Sequence, residues 1–142
     1  MEAVPQIYEF NLDLDDSIPS DVNWLTITDT VQGSGKFVRQ SSCFFHYAHL
    51  EIILLPYQGN THFLLEWQVT DEMIPEEFIP GVIDGIKSAV VQECRIIINI
   101  KIQVIGGSYH PFESRRFSFH IAARKAFDDA ISKTQLVNCK FF

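Results

Sequence analysis

The chain has 142 residues, 46% of them hydrophobic and 20% charged, which describes one folded domain and excludes a disordered or membrane-spanning chain. A chain of this length buries about 70% of its unfolded surface, so neither a metal nor a disulfide is needed to hold it. The formal net charge is −7, but seven of the 18 acids precede Lys36, the first base, and the remainder is formally neutral, so an acidic total does not exclude a nucleic-acid surface on the body. Residues 1–24 are polar and acidic, with Pro5 and Pro19, and read as an acidic arm on a single domain spanning 1–142. From Trp24 the pattern tightens. Residues 25–28 alternate, Gly33-Ser34-Gly35 reads as a turn, and residues 36–40 form a short β-branched run. Residues 44–55 are rich in strand formers, 56–60 read as a hairpin turn, and 62–69 supply a returning strand. In that strand Phe63, Leu65, Trp67 and Val69 share one face, opposite Leu64, Glu66 and Gln68. Ile79, Val82, Ile83, Ile86 and Val90 then fall at helical spacing, with Pro75 and Pro80 tolerable near the start. Residues 96–105 read as a central strand buried on both faces, ending at Gly106-Gly107. A second helix is expected from Ser114, as its N-cap, to about Lys133, with Phe117, Ile121, Phe127 and Ile131 inward. Strands, helix, strand, helix make an α+β two-layer sandwich.

Most chemistry can be tested and set aside. There is no Gly-x-x-x-x-Gly-Lys-Ser/Thr loop and no Gly-x-Gly-x-x-Gly, and Gly33-Ser34-Gly35-Lys36 lacks the spacing of either. Cys43, His46, His49 and His62 invite a metal reading. In a strand, however, His46 and His49 fall on opposite faces, and only Cys43 and His49 share one. Neither a metal nor another cofactor is expected. Cys94 has no local motif of a nucleophile, and an enzyme is not expected. Cys43, Cys94 and Cys139 are an odd set without paired spacing, which favours free thiols in a reducing compartment. The first residues lack the basic flank and apolar core of a signal peptide, and no apolar run reaches about 18 residues. A soluble cytoplasmic domain is the expectation. Arg115, Arg116, Arg124 and Lys125 cluster enough to make either a positive patch or an ordinary solvated helix face.

Two stretches carry a sharper signal. Residues 74–86 read Ile-Pro-Glu-Glu-Phe-Ile-Pro-Gly-Val-Ile-Asp-Gly-Ile. Residues 107–127 read Gly-Ser-Tyr-His-Pro-Phe-Glu-Ser-Arg-Arg-Phe-Ser-Phe-His-Ile-Ala-Ala-Arg-Lys-Ala-Phe. Both closely resemble domain IV of elongation factor G, the translocase of the ribosome. Residues 35–41, followed by Tyr47 and His49, look like the first strand and tip loop of that domain, in register. The resemblance spans about residues 33–134.

The resemblance implies a ribosomal-protein-like α+β fold, a mixed sheet with two helices on one face. It also implies a left-handed β-α-β crossover, against the usual right-handed rule. In the family the tip of this domain enters the small-subunit decoding centre, where a tRNA anticodon arm would stand. Gly107, Ser108, Tyr109 and His110 match the second tip loop, with His110 at the tip histidine and Ser114 at one of the loop serines. Arg39, Gln40, Tyr47 and His49 match the edges of the first tip loop. Between them the family has glycine and arginine. Here residues 42–46 contain neither and bring Phe44 and Phe45 instead. Arg115 and Arg116 add charge where the family has a serine and an acid. The expectation is a non-catalytic module, without a GTPase domain, that binds the small ribosomal subunit or other structured RNA and modulates translation. Its contacts would be Arg39, Phe44, Phe45, Tyr47, His49, Ser108, Tyr109, His110, Ser114, Arg115 and Arg116. The alternative is a protein-interaction or homo-oligomeric module that kept the fold and lost the ribosome; no membrane partner is expected.

Overall fold

In the computed structural model, which describes residues 5–13, 21–41 and 45–139, alternating β-branched and aromatic runs become strands, as their pleat demands. In chain order the elements are β1 (Gln6–Phe10), β2 (Asn23–Thr26), β3 (Val31–Gln40), β4 (Phe45–Pro56), β5 (Phe63–Trp67), α1 (Ile79–Val90), β6 (Val91–Gln92), β7 (Arg95–Ile97), β8 (Ile100–Ser108), α2 (Arg116–Ser132) and β9 (Val137–Asn138). A 3-10 turn, Glu76–Phe78, leads into α1. One mixed sheet has the order β1-β5-β8-β4-β3, with only β5 and β8 parallel. Because α1 lies between those two strands in the chain, they form a β-α-β unit. A smaller sheet, β6-β7-β2-β9, sits where β8 begins. The fold is α+β, with two helices against a mixed sheet.

Three sequence expectations give way to packing. Residues 56–60 do not close a hairpin, because β8 runs between β4 and β5. β8 carries Ile100, Ile102 and Val104, all fully buried, and takes the middle of the sheet. Only one face of β8 is covered; Lys101 and Gln103 lie on the open face, where Lys101 pairs with Glu66 at 2.5 Å. Nor do residues 96–105 form one strand. Asn99, at φ 63°, turns the chain between β7 and β8, a conformation asparagine tolerates better than most residues. Its Nδ2 donates to Cys139 Sγ at 3.1 Å and its backbone N–H to His62 O at 2.9 Å.

The third correction matters most. Gly33-Ser34-Gly35 is no turn; it lies inside β3, and both glycines are buried. A Cβ at Gly35 would stand 2.0 Å from Ala122 O, and one at Gly33 would stand 2.2 Å from Ala126 O. Strand and helix therefore meet backbone to backbone, because α2 presents Ala122, Ala126 and Ala130 to them. From the same helix and its C-cap, Lys125, Asp129 and Lys133, four residues apart, reach over the strand's outer edge. Lys125 Nζ donates to Lys36 O, Lys133 Nζ donates to Gln32 O, and Asp129 Oδ2 accepts from Ser34 N–H at 2.9 Å. An otherwise open sheet edge is covered by side chains.

The helical expectations divide. α1 buries Ile79, Val82, Ile86 and Val90 as its spacing predicts, with Ile83 half-buried and Pro80 in the first turn. α2 starts at Arg116 and turns Phe119, Phe127 and Ile131 inward with four alanines between, while Phe117 is exposed and Ile121 half-buried. The inward stripe is alanine-rich because α2 must also fit closely against α1; a Cβ at Gly85 would stand 2.3 Å from His120 O. Within the segment read as an acidic arm, Gln6–Phe10 is an ordered edge strand, and Phe10 stacks on Phe63 with ring centroids 5.1 Å apart. No described helix is long and apolar enough to cross a membrane.

Candidate functional site

Register brings the two tip segments together. β3 and β4 pair through Gln40↔Phe45 and Val38↔Tyr47, and β4 pairs with β8 through His49↔Ser108. The end of β3, the start of β4 and the end of β8 thus meet at one pole, opposite the small sheet. Gly107 makes the approach possible. At φ +146° it favours glycine, and a Cβ there would stand 2.2 Å from His49 O.

Side chains then tie the two segments. Tyr47 Oη lies 2.8 Å from Ser108 Oγ across the open face. Beyond β8 the chain makes a closed loop from His110 to Ser114. Ser114 N–H donates to His110 O at 3.0 Å, and His110 N–H donates to Ser114 Oγ at 2.8 Å. Ser114 Oγ in turn donates to Tyr47 O. Ser114 therefore clamps this loop to β4 rather than capping α2, as the sequence suggested. His110 Nδ1 accepts from the N–H groups of Phe112 and Glu113, each at 3.2 Å.

The start of α2 completes the pole. Arg115 Nε donates to Phe45 O at 3.4 Å. Ser118, fully buried, accepts from Arg115 N–H at 3.0 Å and lies 2.8 Å from His46 Nδ1. The His46 ring sits between Phe37 and Phe117, at centroid distances of 5.2 and 5.8 Å. Burial holds its pKa below the ordinary value, and the nearby charges of Arg115 and Arg39 push the same way. Those two cations thus act on one spot. Neither forms an ion pair with a carboxylate among the described residues, whereas Arg116 is held by Asp84 of α1 at 2.6 Å.

The expected contact residues divide accordingly. Arg39, Phe45, Tyr47, Ser108, His110, Ser114 and Arg115 gather at the pole. His49 lies further down the open face and pairs with Glu51 at 2.8 Å. Tyr109 turns toward the core, its ring 6.2 Å from Phe78. Phe44 falls outside the described residues. Sequence reasoning missed four residues: His46, Phe112, Phe117 and Ser118. The alternation of β4 already put His46 on the helix-facing side, while Phe117 was misplaced because the alanines of α2 were not counted as its inward stripe. Val38, Phe45, Phe112 and Phe117 are all exposed here, and Phe112 is 87% exposed. Rings and unpaired cations are suited to binding, not to bond making. Among the described residues no group of three or more His, Cys, Asp or Glu side chains is arranged to hold a metal.

Residues 20–135 match the family model of elongation factor G, domain IV. The chain belongs to the elongation factor G domain IV family. A crystal structure of a protein from Thermus thermophilus matches it with a TM-score of 0.74 at 28% identity, over 84% of this chain. The match covers 18% of that protein, so the chain spans a small part of its structural neighbour. Domain IV is a non-catalytic, translation-related unit of its factor, and the α+β architecture described above is the one this family shares.

Proposed function

We propose that this domain IV protein binds structured RNA of the small ribosomal subunit through the pole and modulates translation in the cytoplasm without catalysing a reaction. One observation carries the reading. Two segments about 60 residues apart are locked into a single surface by Tyr47–Ser108 and Ser114–Tyr47, and that surface presents Arg39 and Arg115 without carboxylate partners among the described residues, beside exposed rings. Phosphates would meet the guanidinium groups, and unpaired bases would meet the rings. The acidic total of the chain does not oppose this, since the acids concentrate before Lys36. In this reading the whole of 1–142 acts as one domain.

Co-sedimentation with small ribosomal subunits across a salt series tests it. Wild type should bind at low salt and release steeply as salt rises. An Arg39→Ala, Arg115→Ala double variant should lower the log–log slope by about 1.5, at roughly 0.7–0.9 for each phosphate contact. Binding that ignores salt would instead favour a protein partner or a second copy on Val38, Phe45, Phe112 and Phe117, the four apolar side chains exposed at the pole.

A further inference from the structure

The ring of Phe112 is 87% exposed, the most solvated large apolar side chain among the described residues, yet its backbone is firmly held. His110 Nδ1 accepts the Phe112 N–H at 3.2 Å from one side. The loop is closed beneath it by the reciprocal His110–Ser114 bonds and by the bond of Ser114 to Tyr47 O. Pro111 fixes φ immediately before it. A phenylalanine on a mobile loop would lose freedom on binding. Here most of that ordering is already done by folding, so contact made through the ring is opposed by little entropy. The ring beside it is His110, tilted and 6.1 Å away, so both faces of Phe112 remain available.

We infer that Phe112 is a stacking platform for an unpaired RNA base, so that the pole selects looped or bulged RNA over continuous duplex. This rests on the RNA-binding reading above and names the kind of RNA. Charge complementarity points to RNA: Arg115 lies three residues on and donates to Phe45 O, and Arg39 pairs with His46, the residue next to Phe45, in the β3–β4 ladder. The ring decides which RNA. In an uninterrupted A-form duplex every base face is covered by its neighbours, and the major groove is too narrow to admit a side chain. Only an unpaired base has a free face to offer. Because every base has such a face, the selection is for unpaired structure, with little preference for base identity.

The probe is an RNA hairpin closed by a non-nucleotide linker and carrying one bulged 2-aminopurine, set against a hairpin with the same linker whose bases are all paired. Wild type should bind the bulged RNA more tightly and quench its fluorescence. Phe112→Ala should weaken that complex roughly 5- to 150-fold, to the level of the paired RNA, with the salt slope unchanged. Phe112→Trp should keep both affinity and quenching. The same Phe112→Ala change should weaken co-sedimentation with small subunits. If wild type binds RNA but Phe112→Ala binds the bulged hairpin equally well, or loses affinity equally for both hairpins, the stacking role is overturned and the RNA reading survives. If wild type binds neither hairpin nor small subunits, both fail, and a protein partner for the pole becomes the better account.

Discussion

Replacing Gly35 with alanine places a methyl group 2.0 Å from the Ala122 carbonyl oxygen and 2.5 Å from the Ala126 amide nitrogen. Both obstacles are helix backbone, so no side chain can swing aside. An ordinary contact of about 3.4 Å is restored only if α2 and β3 part by about 1.4 Å. That separation stretches the Asp129–Ser34 and Lys125–Lys36 bonds and opens a gap beneath Ala122 and Ala126. Overpacking of this kind costs about 1–3 kcal/mol, and each weakened hydrogen bond adds about 0.5–1.5 kcal/mol. Lower entropy of the unfolded chain returns about 0.4–1 kcal/mol. The net loss is about 3 kcal/mol, within a range of about 1–5 kcal/mol, and its centre corresponds to a fall in Tm of roughly 9–12 °C for a domain of this size. Urea denaturation of Gly35→Ala beside wild type measures it. Gly106→Ala is the control, because its Cβ would meet Glu51 only at 3.5 Å, and its stability should stay within about 0.5 kcal/mol of wild type. Ser118 and Arg115 stand at the start of the displaced helix, so Gly35→Ala should also weaken RNA binding. An unchanged urea midpoint would refute the close approach of β3 and α2.

Other outcomes follow from the same contacts. Ser118→Ala leaves Arg115 N–H and His46 Nδ1 without their shared hydroxyl, and should cost about 1–3 kcal/mol by thermal denaturation. Burial holds His62 and His46 below their ordinary pKa of 6.5, so the unfolded chain binds more protons just below that pH. Stability should therefore be full above about pH 6.5 and fall as pH drops through the lower folded values; His62→Gln should flatten the His62 part of that fall. Glu66, through its bond to Lys101, and Asp129, through the Ser34 N–H and Lys133, titrate below their ordinary values of 4.5 and 3.8. Their contribution should persist above those values and be lost only in stronger acid. Asp129→Ala removes the acceptor for Ser34 N–H and the ion pair of Lys133 at the β3 edge. It should cost about 1 kcal/mol and raise concentration-dependent self-association, read by light scattering.

The sequence made the local elements legible wherever one face was apolar and the other polar. The period of α1 and the alternation of β5 transferred directly, and so did the gathering of residues 107–114 near Tyr47 that the family resemblance implied. What failed was mostly non-local. Nothing in residues 56–60 announces that β8 will separate the strands on either side, because the strand that intervenes comes from far along the chain, beyond α1. Gly33-Ser34-Gly35 has the composition of a turn, and only the alanine row of α2 explains why glycine is needed inside a strand. Three of the residues missed at the pole, His46, Phe112 and Ser118, share one cause. Ser118 and His46 act through each other across 72 positions, and Phe112 stands out by the rigidity of a loop whose ties reach back to β4. Spacing along the chain carries no trace of such pairings.

The central claim is that the pole meets small-subunit RNA, and chemical footprinting of that RNA tests it most directly. Small subunits would be probed alone, with wild type, and with the Arg39→Ala, Arg115→Ala double variant at matched low salt. The account predicts protection of unpaired decoding-centre nucleotides by wild type, strongly reduced with the double variant. Absence of protection, or protection elsewhere that the double variant reproduces in full, would contradict it.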